Sequence, residues 1–275
     1  MKNLVKKAFL DTEDGQIFYK IAGEGKPLLL LHRSPQSSDE FRKLIPLLAA
    51  NHRVIAMDMM GFGNSDKPPR IYAVADYAKT VIALLDELGI TTTNILGNHT
   101  GAYVAAEVAA AYPERVEKLI LSNVDKFSDQ EKDTILNSYA EKFQIKADGG
   151  HLLPRWLVYS KYASSPEFNH RCFLEELKCH GHPAYGPLAV VDYLSCLDAR
   201  FRLIKCPTLV LSGTEDIKEL ERLGLATAEN RRLISQLIPH GKITEILGGT
   251  VCMMNQMAEE ISQVVLEFLN AVDIQ

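Results

Sequence analysis

At 275 residues, the chain is long enough to bury a sizeable core, and α/β folds reach this length as one core with an insertion. Its 47% hydrophobic and 24% charged residues describe an ordinary globular protein. A net charge of −5 provides no basic footprint, which argues against nucleic acid as a partner.

The opening MKNLVKKAFLDTEDG lacks the apolar stretch of a signal peptide. Phe9 to Ile21 has Asp14-Gly15 between two alternating segments, the pattern of an antiparallel hairpin at a sheet edge. Lys26 to His32 is almost wholly apolar, as a strand buried on both faces of a parallel sheet requires. Arg53–Asp58, Thr93–Gly97, Val116–Ser122, Pro207–Ser212 and Lys242–Leu247 repeat that pattern. Helical spacing separates the strands. Val74, Tyr77, Ala78, Val81, Leu84, Leu85 and Leu88 share one face, with Gly89 as the stop, and Ile261 to Leu269 repeats the spacing near the C-terminus. This alternation predicts an α/β protein with a mainly parallel central sheet flanked by helices.

Lys126 to Lys205 breaks the alternation. It shows helical patterns, Trp156 and no clear strand, and so reads as an inserted helical cap over a core formed by 1–125 and 206–275. The five cysteines, Cys172, Cys179, Cys196, Cys206 and Cys252, have no CxxC spacing; they argue against disulfides and zinc and favour a reducing compartment. No apolar run reaches the roughly 18 residues of a membrane span. The expectation is a cytoplasmic protein, monomer or homodimer, with a small-molecule ligand, no cofactor, and no membrane partner.

The chemistry centres on Gly97-Asn98-His99-Thr100-Gly101-Ala102. Small residues at 97 and 101 permit a tight strand-to-helix turn that lifts one side chain above the sheet beside a helix N-terminus. Four further segments accompany it: His32-Arg33-Ser34-Pro35, Asp58 to Asp66, Tyr112-Pro113-Glu114-Arg115-Val116, and Gly213-Thr214-Glu215-Asp216. In this order they resemble the α/β-hydrolase superfamily over nearly the whole chain, with most likeness to the haloalkane dehalogenase and epoxide hydrolase branch. The resemblance implies the α/β-hydrolase fold with an inserted cap. It also implies a nucleophile position at 99, a triad acid at Asp216, and oxyanion donors at the backbone N–H groups of Thr100 and Ser34.

Two positions depart from that pattern. His99 stands where the family has Ser, Cys or Asp, and Thr250 stands where it has the triad histidine. Threonine cannot relay a proton near neutral pH, so the resemblance implies a degenerate triad of which the acid survives. Three readings of His99 stay open: a general acid or base serving a cyclase, lyase, isomerase or water-activating hydrolase; a catalytically inactive binder of a ligand or partner; and a metal site with His32. Arg33 faces either the pocket, where it would favour an anionic ligand, or solvent. Trp156, with His151, Tyr159, Tyr162, His180, His182 and Tyr185, is a candidate for the cap side of the pocket. Asp125 is either an alternative acid or a solvated loop carboxylate. Cys252 reads as a buried, inert thiol, and Asp58 and Asp66 as residues that fix loops.

Overall fold

The computed structural model describes residues 4–142, 145–179 and 185–271. β1 (Lys6–Thr12) and β2 (Gly15–Ala22) form the expected hairpin, with Gly15 at φ +127° opening the second strand. β3 (Lys26–Leu31), α1 (Leu44–Leu48), β4 (His52–Met57), α2 (Val74–Glu87), β5 (Thr93–Asn98), α3 (Thr100–Ala111) and β6 (Val116–Ser122) follow. Before β7 (Thr208–Gly213) the described chain is helical, as α4 (Asp129–Lys142), α5 (Leu152–Ser160), α6 (Pro166–Cys179), α7 (Tyr185–Tyr193) and α8 (Leu197–Phe201). Then come α9 (Thr214–Arg222), α10 (Ala228–Leu237), β8 (Gly241–Ile246), α11 (Met253–Gln256) and α12 (Ala258–Asn270). No described helix is long and apolar enough to cross a membrane.

The strands form one sheet in the order β1-β2-β4-β3-β5-β6-β7-β8. β2 is antiparallel to both β1 and β4, and the remaining pairs are parallel. Side chains alternate across a strand, and β3 shows the consequence. Leu28 and Leu30 enter a layer with Phe41, Leu44, Ile261 and Val265, whereas Leu29 and Leu31 enter the opposite layer with Tyr77, Val81, Leu84 and Val104. All four leucines are buried. The apolar run is continuous because each face of the sheet is covered.

The turn from β5 to α3 is among the tightest places in the chain. A Cβ on Gly97 would lie 2.2 Å from the Gly101 carbonyl oxygen, and one on Gly101 would lie 2.1 Å from that of Leu31. Both obstacles are backbone, which has little room to give. Gly101→Ala is therefore expected to cost at least about 3 kcal/mol of stability, read as a fall in denaturation midpoint. A variant with wild-type stability would refute this packing.

Candidate functional site

His99 occupies the turn between β5 and α3 with φ 47° and ψ −116°, a conformation that costs a residue bearing a Cβ about 1–3 kcal/mol. It is held there by its own N–H, which donates to the Ser122 carbonyl at 2.9 Å, and by its carbonyl, which accepts from Ala102 N–H at 2.8 Å. The imidazole reaches a cavity of about 300 Å³. The cavity is walled by loop residues of the sheet's C-terminal edge, including Arg33, Ser34, Thr100 and Asp125, and by Phe127, Val158, Tyr162, Val190 and Leu194 from the helical segment before β7. Such a site beyond the carboxyl ends of parallel strands is where α/β sheets place ligands.

Asp216, the third residue of α9, is brought beside His99 as the sequence suggested. Its backbone N–H donates to the Gly249 carbonyl at 2.9 Å, and its Oδ1 lies 3.5 Å from His99 Nε2, ion-pair reach without a made hydrogen bond. Burial works against the Asp216 carboxylate, but the His99 imidazole and the Arg231 guanidinium outweigh it and hold the carboxyl below the usual range.

Arg231 is the residue that sequence reasoning missed. It lies on α10, is fully buried, and its guanidinium grips Asp125 through Nε and Nη2 at 2.6 Å each. The same Nη2 donates to Asp216 Oδ2 at 2.8 Å, and Nη1 to Asn123 Oδ1 at 3.1 Å. Asp125 is thus not a solvated loop carboxylate: it is 1% exposed, and its backbone carbonyl accepts from Tyr103 Oη at 2.6 Å. One of two adjacent arginines in a polar stretch of α10 gives no warning of this, because the clamp joins it to Asp125 and Asn123, more than 100 positions away.

Thr250 is not among the residues that line the cavity His99 reaches. Its hydroxyl donates to Gln256 Oε1 at 2.6 Å and accepts from Cys252 N–H at 3.0 Å, while its neighbour Val251 lines the cavity. Trp156 also differs from expectation. Its ring packs edge-on against His170 and Phe173 of α6 and stands outside the cavity lining, because α5 turns Arg155 and Val158 inward instead. Tyr162 does line the cavity, whereas His151 accepts from Lys146 N–H on the exposed surface. His180 and His182, and the side chains of Tyr159 and Tyr185, lie outside the described residues.

Arg33 is 3% exposed, so the solvent-facing alternative does not hold. It borders the cavity, as the inward alternative has it, but its Nε sits 2.9 Å from Glu40 Oε1 and its charge is matched there. Its Nη2 also lies 3.6 Å from Cys252 Sγ, and burial pushes that thiol's pKa up, as expected of an inert cysteine. His32 is buried with both ring nitrogens in use: Nδ1 contacts the Arg33 carbonyl at 2.8 Å and Nε2 accepts from Met59 N–H at 3.0 Å. Burial lowers its pKa, so it stays neutral as a loop-fixing residue, and neither nitrogen is left for a metal. Asp58 fixes its loop by accepting from Ser38 and Asn64 N–H groups, and Asp66 by accepting from Gln16 N–H.

Ser34 and Thr100 come together at one point. A Cβ placed on Gly186 of α7 would lie 2.2 Å from Ser34 Oγ and 3.1 Å from Thr100 Cγ2. The Ser34 hydroxyl is buried without a hydrogen-bond partner among the described residues. Thr100 opens α3, where a backbone N–H has no partner within its own helix.

The sheet order, the strained turn and the acid after β7 define a class that comparison with known proteins supports. The sequence model of the alpha/beta hydrolase fold matches residues 26–218, and the chain belongs to that family. Among its relatives, the (E)-2-((N-methylformamido)methylene)succinate hydrolase of Acinetobacter baylyi is 24% identical over 220 residues, 78% of this chain and 81% of that protein. A haloalkane dehalogenase of Mycolicibacterium paratuberculosis is 34% identical over 118 residues, 41% of this chain and 39% of that protein. The enol-lactonase of Burkholderia xenovorans LB400 superposes with a TM-score of 0.78 at 19% identity, covering 96% of this chain and all of that one. Its likeness is one of fold.

Proposed function

We propose that this protein is an enzyme acting on a small, neutral, largely apolar carbonyl compound by acid–base chemistry at His99 rather than through a serine triad. The observation that carries the reading is the approach of His99 Nε2 to the buried Asp216 carboxylate across the strained turn, 3.5 Å apart at the head of the cavity. The carbonyl oxygen would accept from the backbone N–H groups of Thr100 and Ser34, donors whose value lies in being aimed in advance at developing negative charge. His99 would then remove or return a proton at the adjacent atom, or activate a water against the held carbonyl. Asp216 keeps the ring oriented. The segment 126–205 serves as the lid that excludes water.

Ligand neutrality is supported by the pairing of the cavity's cations. Arg33 is matched by Glu40 and Arg155 by Glu176, so neither buried guanidinium offers its charge to an anion, while the more exposed Lys161 and Arg222 share Glu219. The apolar walls of Val158, Val190 and Leu194 suit a hydrocarbon arm. Thr250, with its hydroxyl committed to Gln256, takes no part in proton transfer in this reading.

The test is a panel of neutral esters, lactones, enol compounds and 1,3-dicarbonyls, followed by chromatography, alongside a fluorophosphonate probe. Turnover of at least one neutral compound is expected, with no probe label between Gly97 and Gly101. Label at that turn would reject the acid–base mechanism. A ligand that binds but is never converted would instead place the protein among inactive binders of this fold.

A further inference from the structure

We propose that Asp125 and Arg231 are positioning residues that set how tightly His99 holds its proton, making the site a device that stores a single proton. The inference deepens the acid–base reading and rests on it for its meaning, though not for its test.

The argument is one of charge count in a closed space. Arg231 binds both carboxylates at once: Asp125 through two bonds of 2.6 Å, and Asp216 Oδ2 through one of 2.8 Å. The guanidinium and the two acids are each 5% exposed or less, so solvent screens their charges weakly. Two carboxylates against one guanidinium leave one negative charge over. The remaining oxygen of that set, Asp216 Oδ1, is the one that faces His99 Nε2 at 3.5 Å. Nε2 itself is buried and makes no hydrogen bond among the described residues. Protonation of the His99 ring to the imidazolium, with both ring nitrogens carrying a proton, brings the four groups to neutrality, and loss of that proton restores the surplus.

The other charged groups around the ring do not disturb this count. Arg33 and Arg155 come with Glu40 and Glu176 as their partners, and Glu219 is shared by Lys161 and Arg222, whose side chains are 46% and 63% exposed and so screened by solvent. Tyr103 and Tyr162 stay neutral, because burial raises the pKa of each phenol. Asp125 therefore acts on His99 at second hand. Its charge cancels that of Arg231, and this cancellation leaves the Asp216 charge available to the imidazole. Without Asp125 the guanidinium would neutralise Asp216 instead.

The experiment is a proton NMR titration of the full-length protein, with the His99 ring resonance identified by its disappearance in His99→Gln. In Asp125→Asn the amide oxygen can still accept from Arg231, but the surplus negative charge is gone. The His99 titration midpoint is expected to fall by about 0.5 pH unit or more. In the double variant Arg231→Gln/Asp125→Asn, Asp216 again stands as the single uncompensated charge, and the midpoint is expected to return toward its wild-type value. A residue that merely supports the fold would not move the midpoint down and then back. An unmoved or raised midpoint in Asp125→Asn overturns the proposal, as does a folded double variant that stays with the single one. Should the double variant fail to fold, Asp125→Asn decides alone. The titration needs no substrate, so it separates this inference from the catalytic reading. A midpoint that moves as expected in a protein that converts nothing keeps the first and ends the second.

Discussion

Replacing His99 by glutamine is expected to lower turnover about 10²- to 10⁴-fold while leaving the melting temperature within a degree or two of wild type. The magnitude is that of removing a positioned general acid or base. Stability should hold because the strain at this position belongs to the backbone. Any residue with a Cβ pays for φ 47° and ψ −116°, and glutamine brings the same cost as histidine. The approach of Nε2 to Asp216 Oδ1, at 3.5 Å and with a quarter of the imidazole exposed, adds little that glutamine would forfeit. Steady-state kinetics on the compound found by the panel, together with a thermal melt, checks both halves. Retained turnover with an intact fold would move the chemistry away from the elbow. Lost turnover with a fall in melting temperature of 10 °C or more would show that the histidine is structural.

The second large effect concerns stability. Arg231→Gln is expected to cost about 3–5 kcal/mol, because it strands two buried carboxylates that now share one guanidinium. For a chain of this size that corresponds to a fall in melting temperature of roughly 10 °C. A sign accompanies it. Arg231 is one of the groups that hold the Asp216 carboxyl below its ordinary value of 3.8, so Asp216 contributes stability above that pH and loses it as the pH falls through the folded-state value. Without Arg231 that folded-state value rises, and the acid limb of the stability curve moves to higher pH. Denaturant titrations between pH 3 and pH 7 measure both the loss and the displacement. A variant as stable as wild type, with an unchanged acid limb, would contradict the clamp. Adding Asp125→Asn should recover part of the lost stability, since one of the two stranded charges is then removed.

Much of the frame was legible from local pattern. The leucines of β3 declared a strand covered on both faces, the spacing of Val74 to Leu88 declared α2, and Gly97 and Gly101 declared the tight turn that carries His99. Each signal lies within about fifteen neighbouring residues, where side-chain periodicity and steric limits are set by the chain itself. The pairing of His99 with Asp216 was legible only through the family's motif order, since more than 100 residues separate them. The helical segment was harder. Trp156 was a reasonable candidate for the cavity because aromatics often line pockets, yet α5 is rotated so that Arg155 and Val158 face inward and the indole meets α6. Helical spacing says which residues share a face, not which way that face points.

The sequence by itself determined the sheet-and-helix alternation, the tight glycine-flanked turn and the histidine on it. These follow from short-range rules: alternation in strands, 3.6-residue repeats in helices, and the need for glycine where backbones meet. Only the tertiary structure decided where charge resides. It set Arg33 against Glu40, left the Ser34 hydroxyl without a partner among the described residues, and drew Arg231 from α10 into the gap between Asp125 and Asp216. Coulombic attraction in a buried space acts between whatever groups the fold brings together, with no regard for their distance along the chain. The setting of His99 therefore depends on neighbours that no local pattern announces.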